Sequence, residues 1–298
     1  MQEFKYLPGL DSVRVFGISV VVFYHYQVET AARGLCPFSS LTAMEPLVQM
    51  AVYTMTLLSG ACLCWSEKKH SWSMKRYLWR RFLAIYPIFW LCFFPIFIYS
   101  DIICGNNEGV APWKLLLSII GMDGYFQSVT ATFYKIGEWY LGCLLLLYVV
   151  FPIIWNMIRR LGFIFAGMAA LFAWLVCYLV GDSGQLYPTL LGQMPLFFMG
   201  IFLGSCLPSV WLQGILAGAT ALVLTLLGCS EYWIVTAASV GLFVMVFYLG
   251  QLLLFCGPFL SKVLHLSSMR RRKKRVVSEA ETFELYDIDL SDEDIAAE

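Results

Sequence analysis

Residues 10–26 read LDSVRVFGISVVVFYHY, an apolar run long enough to enter a membrane that still holds Arg14 and His25. These two lie eleven residues apart. On an α-helix, eleven steps of about 100° leave them within roughly 20° of one face and about 16 Å apart along the axis. Ionisable groups inside a membrane helix are costly and usually face a cavity or a partner. The helix thus offers a cation at one depth and a proton-transfer group at another. A positively charged anchor followed by one interfacial histidine accounts for the spacing equally well. Asp11 lies one helical turn before Arg14, close enough to orient its guanidinium.

The composition around this segment is that of a membrane protein. Of 298 residues, 60% are hydrophobic and 13% charged, and the mean hydropathy is +0.73. Soluble domains carry about 25% charged residues. The aromatic share of 16% suits interfacial belts and packing between helices. Net charge is zero but unevenly spread: Arg and Lys gather near 68–81, 159–160 and 270–275, and the last twenty residues are acidic. Nothing here suggests a nucleic-acid surface. Most of the ten cysteines sit singly in apolar runs, as small hydrophobes do. Cys62 and Cys64 point to different sides of a helix, which argues against a metal pair. Cys36 and Cys104 both fall in loops placed outside, where a disulfide between them would be permitted.

Taken in order, the pattern predicts an all-α, polytopic transmembrane bundle. Spans are expected at 13–28, 46–65, 77–99, 139–158, 163–180, 188–206, 211–228 and 232–256. The connection EKKHSWSMKRYLWRR is strongly basic, which by the positive-inside rule makes it, and the amino terminus, cytoplasmic. WKLLLSIIGM, at 113–122, is too short to cross roughly 30 Å of hydrocarbon and suits an interfacial or re-entrant segment. Counting it as a ninth span would put RRRKKR, at 270–275, outside; eight spans leave that run and both termini cytoplasmic. The membrane domain is therefore read as 1–266, followed by a basic, then acidic, disordered cytoplasmic tail at 267–298. The charged start of the first apolar run argues against a cleaved signal peptide.

The residues suited to chemistry are few. Arg80 and Arg81 open the third span, and arginine's planar fork fits bidentate contact with phosphate oxygens; snorkelling to lipid phosphates is the plainer reading. A polyphosphorylated donor such as acyl-coenzyme A would fit an arginine clamp. His25, about half a bilayer further out, could take a proton from a sugar hydroxyl attacking a thioester. Glu138, in IGEWYLG at the outer end of the fourth span, could orient that histidine or bind the acceptor, or could be a solvated acid beside an interfacial Trp. His70 and His265 read as solvated. There is no HExxH, no CxxC pair, no P-loop and no dinucleotide fingerprint, so no metal or bound cofactor is expected.

Four stretches in order resemble the acyltransferase-3 family of bacterial integral-membrane O-acyltransferases. LPGLDSVRVFGISVVVFYHY is similar to the family's opening helix, with Arg14 and His25 as its arginine and histidine. TMTLLSGACLCW resembles its second-helix pattern at Leu58, Ser59 and Gly60, and RRFLAIYP its third at Arg80, Arg81 and Pro87. MDGYF followed by IGEWYLGCLLLLYVVFP resembles the fourth. The resemblance implies transfer of an acyl group, most often acetyl from acetyl-CoA, to a hydroxyl of a cell-surface polysaccharide or lipid-linked sugar in the bacterial cell membrane. It implies His25 as the base, with Arg14, Arg80 and Arg81 handling the donor. Two departures stand out: Ala84 occupies a position where the family usually has a second arginine, and charge replaces a further apolar helix after Leu266. A small polytopic transporter and an inactive truncated homologue are the competing readings. The oligomeric state is not readable.

Overall fold

A computed structural model describes residues 8–35, 41–69, 73–105, 109–126, 130–133, 139–180, 186, 189–206, 219, 223 and 232–256. The elements are α1 (Pro8–Ala32), α2 (Leu41–Lys69), α3 (Met74–Phe97), α4 (Leu115–Ile120), α5 (Asp123–Phe126), α6 (Trp139–Leu161), α7 (Ile164–Val180), α8 (Leu190–Cys206) and α9 (Tyr232–Cys256). A π-helical turn, Ile98–Ile103, extends α3, and a 3-10 turn, Pro112–Lys114, leads into α4. The described residues contain no strand. The helices of the described residues suit an apolar sequence in lipid, because each satisfies its own backbone.

Among the described residues, four helices are long and apolar enough to cross a membrane: Met44–Glu67, Met74–Ile103, Trp139–Leu161 and Tyr232–Leu252. α7 and α8 are apolar but shorter, at 17 residues each. The expected first span is a helix of 25 residues, yet it is not among the four. Asp11, Arg14, His25, Gln27 and Glu29 interrupt its apolar sequence. The expected span at 211–228, Cys36, His70, Glu138, His265 and the tail 267–298 lie outside the described residues, residues 219 and 223 apart.

α2 is the hub, packing against α1, α8 and α9. Its contact with α8 is backbone to backbone. A Cβ placed on Gly60 would fall 2.3 Å from the Phe197 carbonyl oxygen, one on Gly200 would fall 2.1 Å from that of Leu57, and one on Gly204 would fall 2.9 Å from that of Ala61. Small residues that admit such approach are how membrane helices associate when no hydrophobic force distinguishes protein from lipid. Leu57, Gly60, Ala61 and Cys64 thereby form one stripe of α2, turned to α8. The Leu58-Ser59-Gly60 stretch is explained by this geometry: Gly60 makes the contact, Leu58 is buried, and Ser59 is left on another face.

Residues 112–120 form a short piece rather than a span. Six residues of α-helix are about 9 Å long. The end of α4 has all four of its last carbonyls satisfied without water. Met122 N–H donates to Leu117 O (2.9 Å) and Gly121 N–H to Ser118 O (3.0 Å), with Gly121 left-handed at φ 82°. Trp90 Nε1 donates to Ile119 O (2.9 Å) and Tyr86 Oη to Ile120 O (3.0 Å). Two aromatic side chains of α3 therefore finish a helix end that would otherwise demand solvent. Beyond it, Asp123 is fully buried. Burial pushes its carboxyl above the usual range, and the Ser118 and Thr132 hydroxyls only partly offset that.

Two outcomes test this packing. Gly200→Ala is expected to cost about 1–3 kcal/mol, because α2 and α8 must separate to admit a methyl; a detergent thermal midpoint equal to wild type would contradict it. For Asp123 the folded pKa is raised, so its contribution is present at low pH and lost as pH rises through the folded value. Asp123→Asn should therefore raise the midpoint at pH 7.5 and leave it unchanged at pH 4. Parallel pH curves for the two proteins would rule this out.

Candidate active site

α1 and α2 lie side by side, and the face each turns to the other explains the site. On α1 that face carries Gly17, Ile18, Val21, Val22 and His25, the i, i+4, i+8 register that the Arg14–His25 spacing implies. Gly17 allows the approach: a Cβ there would lie 2.8 Å from the Met55 sulfur. On α2 the matching face carries Glu45, Val48, Gln49, Val52 and Met55. With the first residues of α6, Trp139 and Tyr140, they enclose a cavity of about 500 Å³. His25 is exposed to it, and Tyr24 meets the imidazole edge-on at 5.9 Å between centroids. One imidazole, one carboxylate, one amide and three amphipathic aromatics thus share a cavity of small-ligand size.

The same face of α2 continues with Ser59 and Cys62, three to four residues apart, toward the other end of α1. There Asp11 and Arg14 form an ion pair, with side chains 38% and 48% exposed. Cys62 lies within electrostatic reach of both Arg14 and Arg81. The Arg81 guanidinium stacks over Tyr77 (5.8 Å) and Tyr148 (5.6 Å), while the Tyr77 hydroxyl donates to the Tyr148 carbonyl (2.8 Å) and ties α3 to α6. Arg14 and Arg81, from helices apart in sequence, therefore both act on the surroundings of Cys62. Arg80 is half-buried and, among the described residues, makes no ion pair or ring contact. Ala84 is on the exposed side of α3. It lies about one turn from Arg81 and close to the Tyr77 face of the same helix.

Between the two ends lies a buried relay. Thr56 Oγ1 is 2.7 Å from Gln193 Oε1, 3.3 Å from Val52 O and 3.1 Å from Tyr140 Oη. The first two are acceptors and threonine has one proton, so Tyr140 donates to Thr56 and Thr56 donates onward. Ser59 stands near both Tyr140 and Tyr148. In apolar surroundings such a fully paired network fixes the α2–α6–α8 register.

Of the residues singled out from sequence, His25 borders the cavity, and Asp11, Arg14 and Arg81 form the opposite end. Glu45, Gln49, Cys62, Tyr140 and Tyr148 were missed. A signal for some of them existed: Glu45, Gln49, Val52, Met55, Ser59 and Cys62 follow helical spacing on one side of α2. The rest depended on how α6 docks.

No curated protein and no solved structure matches the chain. Residues 7–275 match the family model described as an acyltransferase domain, nearly the whole chain, and the chain belongs to the acyltransferase-3 family.

Proposed function

We propose that this protein is a membrane O-acyltransferase moving an acetyl group from acetyl-CoA to a hydroxyl of a cell-surface polysaccharide or lipid-linked sugar. Family membership supports acyl transfer. The observation that carries the rest is the placing of His25 in a cavity of about 500 Å³ at one end of a polar stripe whose other end holds Arg14 and Arg81.

In this reading Arg14, oriented by Asp11, and Arg81, with Arg80 nearby on α3, receive the phosphates of the donor. His25 takes the proton from the acceptor hydroxyl as its oxygen attacks the thioester carbonyl. A C–O bond forms, the C–S bond breaks, and the thiolate leaves to be protonated by solvent or by the imidazolium. Glu45 is the acid best placed to orient His25 or hold an acceptor hydroxyl; chain position alone, one residue before Trp139, nominates Glu138. Trp139 offers an apolar face to a sugar ring.

His25→Ala should lower ester formation at least ~100-fold while the purified protein keeps the rise in thermal midpoint that acetyl-CoA gives by binding the native state. Glu45→Gln should cause a smaller loss. Unchanged esterification in His25→Ala would sink the reading, and a wild type that acetyl-CoA does not stabilise would favour a transporter.

We also infer eight spans in a bacterial cell membrane, with both termini cytoplasmic and residues 101–138 outside. Helices over seven of the eight expected segments support this count. Alkaline phosphatase, active only outside the cytoplasm, should be active when fused after Gly121 and inactive when fused after Glu298. The opposite pattern would refute the topology.

A further inference from the structure

A second cavity, of about 460 Å³, lies away from His25 between α3, α4 and α6. It runs along α3 from Tyr77 to Tyr86, about 13 Å, and Ile120 and Met122 close its inner end. Leu78, Phe82, Leu145 and Val149 form its walls, and Leu78 and Val149 are 49% and 65% exposed, so it opens where lipid would lie. Its polar groups are largely used up. The Tyr77 and Tyr86 hydroxyls donate to the Tyr148 and Ile120 carbonyls. What is left is one cation, Arg81, held between two tyrosine rings with a buried Nε that has no hydrogen-bond partner among the described residues.

A groove of hydrocarbon with a single cation at one end does not suit a nucleotide, whose several phosphates and base would go unsatisfied. It suits a chain with one anionic head. The cation also sits at the right depth: Arg81 is seven residues into α3, about 10 Å from its start, and its stem can carry charge toward a headgroup. Lys75, Arg76 and Arg80 precede it on the same helix and attract anionic lipid to the groove mouth.

We propose that this groove holds one chain of an anionic membrane phospholipid, with the headgroup phosphate on Arg81. The bound chain bridges α3 and α6 and covers the end of α4, bracing the tyrosine pair beside the Arg14–Cys62–Arg81 group. The acyl groove is separate from the His25 cavity, but the headgroup shares Arg81 with the donor phosphates of the reading above, so lipid and donor exclude one another at that guanidinium.

The test is native mass spectrometry of the full chain, delipidated and then titrated with phosphatidylglycerol or with phosphatidylcholine of the same chains. Wild type should retain one phosphatidylglycerol at least ~10-fold more tightly than phosphatidylcholine, a preference set by charge at the site. Val149→Trp, which fills the groove from its open side, should lose that retention by a similar factor. Leu171→Trp, on an exposed face of α7, should not. Val149→Trp should keep any stabilisation by acetyl-CoA. Equal retention of the two lipids, or retention by Val149→Trp at the wild-type level, would overturn the proposal. Acetyl-CoA is expected to displace phosphatidylglycerol, because both place a phosphate on Arg81; the two ligands bound together on one molecule would overturn the placing of the headgroup there. Selective lipid retention with no stabilisation by acetyl-CoA in any variant would leave the lipid site standing and remove the donor reading instead.

Discussion

The close approach of α2 and α8 governs most of what surrounds it. With Gly60, Gly200 and Gly204 pressed against facing carbonyls, α2 cannot rotate without collision. That fixes which of its faces is left for the site. Leu57, Gly60, Ala61 and Cys64 are committed to α8, so Glu45, Gln49, Met55, Ser59 and Cys62 face α1 and α6. In lipid, where hydrophobicity does not distinguish a helix neighbour from an acyl chain, such contacts and buried hydrogen bonds are the means of specifying register. The Tyr140–Thr56–Gln193 relay does this from the other side.

The same economy of polar groups runs through the periphery. α4 ends in apolar company and has every terminal carbonyl paired, two of them by Tyr86 and Trp90 reaching across from α3. Tyr77 spends its hydroxyl on α6. Other polar side chains of the described residues gather in two places. One is the His25 cavity with Glu45 and Gln49, and the other is the pair of arginines around Cys62.

Much of this was legible in the chain. Composition and charge asymmetry gave the helical membrane class and placed helices close to where they occur, and a shortfall of apolar length marked 112–120 as a short piece. The eleven-residue spacing put Arg14 and His25 on one face because helical periodicity is local and independent of neighbours. α1 forms a helix where a span is expected, while its ionisable and amide residues keep it outside the four helices that length and composition alone mark as spans. Arg80 and Arg81 were indistinguishable by position, differing by one step of the helix.

What the sequence by itself determined, then, is whatever depends on one helix at a time: class, approximate segments, the Arg14–His25 face and the pairing of Arg14 with Asp11. Only the tertiary structure decided that Arg81 is the arginine turned toward α6, that Glu45 shares the cavity with His25, and that Cys62 lies within electrostatic reach of both Arg14 and Arg81. These depend on rotation and docking of α2, α3 and α6 about their axes. That rotation is set by glycine contacts and hydrogen bonds between residues up to 137 positions apart, which no local pattern encodes.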